Sequence, residues 1–237
     1  MIEQLALVLG WSDALLLGAL HTLAVGVCAF VLGCGLGLVL LAAYRSDRRW
    51  LRVLAQGYVA LVRGVPELLA VLVVFFGGGI LYRAVTGGDL SPFVAGFVAL
   101  GLIAAAFAVE VLRGAWNAVP KGQWDGAASL ALPRRVVLLQ VIGPQALRLA
   151  LPGLTNLWLI VLKDTALVSV IAVHDILRVA TVASQSSREP FTFYLAACLL
   201  YLVLTVASLQ LQRFLPDRTG TGRTGADRAG AGQAGRA

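Results

Sequence analysis

Residues 113–171 read RGAWNAVPKGQWDGAASLALPRRVVLLQVIGPQALRLALPGLTNLWLIVLKDTALVSVI and pass from a polar stretch punctuated by prolines into an almost unbroken apolar one. The first part, Arg113 to Arg148, holds Pro120, Pro133 and Pro144 together with Lys121, Arg134 and Arg135. It is too polar to cross a bilayer. The second part, from about Leu149 to Val173, supplies the roughly 20 apolar residues that a helix needs to span a hydrocarbon core of about 30 Å. Working outward, the same criterion selects about Ala14–Tyr44, Val53–Leu81 and Pro92–Leu112 before the loop, and about Phe191–Phe214 after it. The expected fold is therefore all-α and integral to the membrane, with five transmembrane helices and one sizeable loop, about 113–148, between the third and fourth spans.

Composition agrees with that reading. Of 237 residues, 59% are hydrophobic and 13% charged, against roughly 45–50% apolar and about 25% charged in a soluble domain. The net charge of +7 does not indicate nucleic acid, because the arginines sit where spans end and form no basic stripe interleaved with aromatics. Cys28, Cys34 and Cys198 lie inside apolar runs, as packing thiols do. His21 and His174 have no companion at metal-ligand spacing. Phe75, Phe76, Trp158, Phe191, Phe193 and Tyr194 read as packing or interface anchors.

Short cytoplasmic loops are enriched in Lys and Arg. With five spans, one side of the membrane collects Arg45, Arg48, Arg49, Arg52, Arg113, Lys121, Arg134, Arg135, Arg148 and the arginines from Arg213 onward, while the other holds Arg83, Arg178 and Arg188. The expected topology places residues 1–13 outside as an extracytoplasmic segment and the large loop and carboxy terminus in the cytoplasm. Glu3, with no basic region ahead of the apolar residues, argues against a cleaved leader. The transmembrane domain is assigned to residues 14–216. Residues 217–237, rich in Gly, Ala, Thr and Arg, have no apolar face and are expected to be a disordered cytoplasmic tail beside anionic lipid.

Gly33 and Gly37 in the first span stand at the small-xxx-small spacing that lets helices approach closely in lipid. Intramembrane charges are costly and are usually functional or paired. The candidates are Arg63 and Glu67 in span two, four residues apart and so on one helical face, with Gly64 and Pro66 between them to disturb the backbone; Glu110, three residues before Arg113; and Asp164 beside Lys163. Glu67 and Glu110 each have two readings, as a wall of a pathway for a cation or as half of an internal ion pair, with Arg63 and Arg113 respectively. Asp164, whose lysine neighbour points about 100° away around the helix, is read either as part of the pathway or as a structural residue at an interface between subunits.

Inside the loop, Trp124 to Leu132 reads as one short helix and the residues after Pro133 as a second, with Val136, Val137, Leu138 and Val141 opposed to Arg134, Arg135 and Gln140. Such a hairpin suits either docking of a soluble protein or a membrane surface. The quoted run, however, resembles the signature region of the transmembrane permease subunits of polar-amino-acid ABC importers, and VPKGQWDGAASLA (119–131) occupies the place of that family's cytoplasmic EAA loop. The resemblance continues through RGVPELL (63–69), KDTALVS (163–169) and REPFTFY (188–194). Within the family it is most similar to the permeases for histidine, lysine, arginine and ornithine.

The resemblance implies a translocation pathway for a polar, expectedly basic, amino acid in a bacterial inner membrane. Pro120, Gly122, Gln123, Trp124, Asp125, Gly126, Ala127 and Ala131 would couple it to an ATPase, and Glu67, Glu110, Asp164 and Arg63 are the pathway candidates. It also implies the partners: a second permease subunit, identical or homologous, two ATP-binding-cassette ATPases and an extracytoplasmic amino-acid-binding protein. ATP and magnesium would sit on the ATPases, since this chain has no G-x-x-x-x-G-K-[ST] phosphate loop and is not expected to be an enzyme. Two positions depart from the family pattern, Ala131 at a glycine position and Gly143 before Pro144 where leucine is usual. Glycine commonly serves a turn with positive φ, which alanine resists. Rival readings are another polar substrate such as glutamine or glutamate, an ion-coupled secondary carrier, and a purely structural membrane subunit.

Overall fold

The computed structural model describes residues 2–214; the tail assigned to 217–237 lies outside them. The elements in chain order are α1 (Ile2–Gly10), α2 (Ser12–Tyr44), α3 (Arg49–Gly64), α4 (Glu67–Thr86), α5 (Pro92–Asn117), α6 (Lys121–Ser129), α7 (Arg134–Val136), a π-helical turn (Val137–Ile142), α8 (Gly143–Asp164), a 3-10 turn (Thr165–Ile171), α9 (Ile176–Ser187) and α10 (Pro190–Phe214). Helices α2, α4, α5 and α10 and the continuous stretch Arg134–Ile171 are long and apolar enough to cross a membrane. The protein is thus an all-helical, multi-pass membrane protein, as expected.

Helix α5 forms the centre. Its Ala99, Ala105, Ala106, Ala108 and Val109 are wholly enclosed, because small residues let neighbouring backbones close in from several sides at once. Helix α2 lies along it most tightly. A Cβ added to Gly33 would stand 2.6 Å from the Ala104 Cβ, and one added to Gly37 would stand 2.8 Å from the Ala108 Cβ. The glycine pair read from sequence is therefore a helix contact held by van der Waals packing.

Two elements differ from the sequence reading. The second span is broken: Val65 is extended at φ −103° and ψ 138° ahead of Pro66, whose ring excludes the preceding residue from helix. Arg63 thus ends α3 and Glu67 begins α4, so the expectation that they share one helical face is corrected. Val59 packs beside Ala106 and Val109, and Val71 beside Ala95 and Ala99, so the break lies against the middle of α5. The second correction concerns the polar loop. Helix α5 runs on to Asn117, and the residues after Pro133 enter the fourth span directly. The second loop helix is the root of that span, and α6 stands alone between spans three and four.

Sequence reading also passed over α9 and the carboxylate that caps it. Asp175 is wholly buried; it accepts from the Arg178 N–H at 2.9 Å and from the Tyr201 hydroxyl at 3.3 Å. The next backbone N–H, of Ile176, donates to Thr22 Oγ1 at 3.2 Å. One acid thereby ties α9 to α10, and its neighbour ties the same corner to α2. Loss of hydration pushes the Asp175 carboxyl up to about 6, against the opposing pull of its hydrogen bonds. A folded value above the unfolded one, about 3.9, means that the native state binds the extra proton. This contribution to stability is complete below about pH 4 and is lost as pH rises through about 6. Asp175→Asn, which keeps an N-cap acceptor, is expected to flatten the pH dependence of thermal stability between about pH 4 and 6 by on the order of 2–3 kcal/mol. Identical slopes for variant and wild type would discount the assignment.

Candidate translocation site and coupling helix

The break in the second span positions the charges. The Tyr58 hydroxyl donates to the Leu102 carbonyl at 2.6 Å, holding α3 against mid-α5 just before the chain turns. Across α5, a narrow crevice against α8 has Ile103, Phe107, Leu157 and Val161 in its walls together with Asp164. Helix α4, which begins at Glu67, packs against the 3-10 turn that follows Asp164. Both acids are half-buried. Arg63 lies with its guanidinium carbon 5.7 Å from the centre of the Phe107 ring, within the range of a cation–π contact.

Glu110 behaves differently. It accepts from the Arg113 guanidinium at 2.7 Å, and Arg113 in turn lies 5.5 Å over the Tyr44 ring. The four candidates therefore divide. Arg63 and Asp164 lie about Phe107, Glu67 opens α4 just past the break, and Glu110 sits one turn nearer to α6 in an ion pair. Among the described residues the ion pairs are Glu110 with Arg113 and Arg83 with Asp89, so neither Glu67 nor Asp164 is in one. Acids in a half-dry site with no cation bonded to them can bind one from outside.

The coupling candidates divide as well. Trp124 faces inward, its ring 5.7 Å from that of Trp116, and Arg45 lies 4.5 Å above Trp116. Ala127 is buried, and Gln123 accepts at Oε1 from Gln145 Nε2 at 3.1 Å. These three hold α6 onto the root of the fourth span. Pro120, Gly122, Asp125 and Gly126 are exposed, and Gly122 and Gly126 have nothing near the position of a Cβ, which leaves a free outer surface on α6. Leu130, absent from the sequence candidates, is 73% exposed at the end of that surface. Its signal was the apolar residue itself, indistinguishable in sequence from a core leucine.

Ala131 closes α6 with φ +48°. Its N–H donates to the Ala128 carbonyl at 2.9 Å and the Leu132 N–H to the Ala127 carbonyl at 3.2 Å, the two bonds of a Schellman cap. The turn expected at the glycine position is thus formed with alanine in it, at a cost of roughly 1–2 kcal/mol for an L-residue in the left-handed region. Ala131→Gly should stabilise the assembled protein by about 1 kcal/mol, read as a rise in thermal midpoint; a fall would show that the methyl group is needed there. Gly143, the other departure, follows the π-helical turn, where a Cβ would collide with the Leu138 carbonyl oxygen. The wider coil brings that carbonyl under residue 143, and leucine would not fit.

Comparison with known proteins accords with this architecture. Residues 33–221 match the family described as "Binding-protein-dependent transport system inner membrane component". The chain is 42% identical over 208 residues to a nopaline transport system permease protein of Agrobacterium fabrum, covering 84% of this chain and 88% of that one. It is 42% identical over 192 residues to an arginine ABC transporter permease protein of Haemophilus influenzae, covering 80% and 86%. To the histidine/lysine/arginine/ornithine transport system permease protein of Escherichia coli it is 36% identical over 219 residues, covering 90% and 96%. Among solved structures, a chain of an amino acid ABC transporter with histidines superposes with TM-score 0.78 at 28% identity, covering 87% of this chain and 94% of that one. With the family matched across α6, the broken span and the crevice that holds Asp164 alike, the chain belongs to the inner membrane components of binding-protein-dependent transport systems.

Proposed function

We propose that this chain forms, with a second permease subunit, the pathway of an ABC importer for a basic amino acid, and that its energy comes from ATP hydrolysed with magnesium on two partner ATPases. The observation that carries the substrate class is that Glu67 and Asp164 are both half-buried, and that neither is in an ion pair among the described residues. A guanidinium, ammonium or imidazolium side chain complements them where a neutral amide does not. The relatives' names point the same way, to arginine, and to histidine, lysine and ornithine. Glu110, held by Arg113, is assigned to the register of α5. An extracytoplasmic binding protein delivers the amino acid, and the amino terminus lies outside with α6 in the cytoplasm.

Helix α6 carries the coupling. Trp124 and Ala127 fasten it to the permease, and Asp125, Gly126 and Leu130 present its outer surface to the ATPase. Movement of the ATPase then passes to the third and fourth spans as a rigid-body displacement between two states. In lipid nanodiscs, the complex with its ATPase and binding protein should hydrolyse ATP several-fold faster when the binding protein is loaded with arginine. Leu130→Asp should abolish that stimulation while the assembled protein keeps its thermal midpoint, since Leu130 touches little in this chain. Failure of every basic amino acid to stimulate the wild type would end the substrate reading, and full stimulation of the variant would end the assignment of Leu130.

A further inference from the structure

Beneath α6 lies an open groove of about 740 Å³ between the end of α2, α5, α6 and the root of the fourth span. Its walls change character along one direction. Val31, Leu38 and Ala42 on α2 and Arg45 at its C-cap recur at intervals of seven, four and three residues, and so form one stripe of the helix. Val31 and Leu38 are 64% and 55% exposed, and Ala42 and Arg45 are also exposed. The stripe covers about 21 Å of helix at 1.5 Å per residue, enough for one leaflet of a hydrocarbon core roughly 30 Å thick. At its polar end the groove is bordered by Arg45 and Arg134, with Asp47 as the opposing acid and Trp124 in the wall.

We infer that this groove binds a phospholipid with an anionic headgroup, its acyl chain along the α2 stripe and its phosphate between Arg45 and Arg134. The apolar stripe leads without interruption into the groove, as an acyl chain requires. Tryptophan at the end of such a stripe marks the headgroup level. Two guanidinium groups against one carboxylate leave a net positive rim, and guanidinium geometry suits phosphate oxygens. A soluble partner would meet no such exposed apolar run along α2, so the lipid is the occupant that fits both ends. The inference needs only that the chain lies in a bilayer; it stands or falls apart from the transported substrate.

The test is native mass spectrometry of the whole permease–ATPase complex, taken from nanodiscs of phosphatidylcholine mixed with phosphatidylglycerol and stripped progressively of lipid. At least one phosphatidylglycerol per permease subunit should persist where phosphatidylcholine has gone. Arg134→Gln and Ala42→Trp, one removing a charge and the other filling the apolar part, should each lower its retention several-fold, and Arg134→Lys should restore most of it. Millimolar inorganic phosphate should not displace it. Equal retention of both lipids, unchanged retention in both Gln and Trp variants, displacement by free phosphate, or retention only after the ATPase is removed would each overturn the assignment.

Discussion

Glu67→Gln is expected to lower arginine uptake into proteoliposomes by about ten- to a hundredfold and to leave uptake of citrulline, its neutral isostere, within about twofold. The estimate follows from the bond that is lost. A hydrogen bond to a charged group contributes about 1.5–3 kcal/mol, and each 1.4 kcal/mol is about tenfold. Glutamine keeps the shape and an acceptor oxygen while removing the charge, so selectivity between arginine and citrulline isolates the Coulombic part. Asp164→Asn should act in the same direction, because α4, which begins at Glu67, packs against the turn that follows Asp164. Joined in one chain, the two changes should produce less than the sum of their separate effects, since both remove charge from one pathway. Glu110→Gln is the comparison that matters: its carboxylate is occupied by Arg113 at 2.7 Å, so substrate preference should stay as in wild type even if stability falls. Equal loss of arginine and citrulline in Glu67→Gln would remove the residue from side-chain recognition, and no loss of either would remove it from the pathway.

How much of this was legible in the sequence depends on the length scale of each signal. Five spans were readable because each rests on about 20 residues of sustained apolarity, and the chain positions of α2, α5 and α10 differ from the reading by a few residues at most, apart from the carboxy-terminal end of α5. The break at Val65–Pro66 was visible in its residues, yet the apolar run from Val53 to Leu81 outweighed it. Hydropathy averages over a window longer than the two residues that the proline removes from the helix. The pairing of Arg63 with Glu67 failed for that reason alone, since i,i+4 geometry needs a continuous helix. The packing of α4 on the turn that follows Asp164 joins segments far apart in the chain, and no local pattern encodes such a contact. The coupling candidates came as a set because the family resemblance covers them together, but the division into inward Trp124 and Ala127 and outward Asp125 is a matter of 100° steps on a nine-residue helix, with Leu130 exposed at its C-cap. Asp175 was hidden by its surroundings: an acid next to a histidine in a short connection reads as solvated, and only the packing of α2, α9 and α10 around it removes the water.

Substituting alanine for Gly33 is expected to cost about 1–3 kcal/mol, the usual penalty for overpacking, and leucine there should prevent assembly of the folded protein. The argument rests on what the new carbon meets. At Gly33 it would lie 2.6 Å from the Ala104 Cβ and 3.2 Å from the Gly101 carbonyl oxygen, and neither neighbour can rotate away. Backbone would have to move, which separates α2 from α5 along the seam that holds the centre of the domain. Gly35 gives the internal control, since a Cβ there meets nothing within 4 Å; Gly35→Ala should be neutral or stabilising by up to about 1 kcal/mol through helix propensity. Position 37 allows a rescue. There the shortest approach is 2.8 Å to the Ala108 Cβ and the next is 3.3 Å to the Val109 nitrogen. Removing the Ala108 methyl group should therefore return most of what Gly37→Ala loses, as a coupling of roughly 0.5–3 kcal/mol in a double-mutant cycle. Thermal midpoints of the assembled complex, followed by size-exclusion chromatography after heating, supply the four corners of that cycle. Additive effects of Gly37→Ala and Ala108→Gly would mean that the two methyl positions do not compete for the same space, and the close-packed seam between α2 and α5 would have to be abandoned as the element that holds the bundle in register.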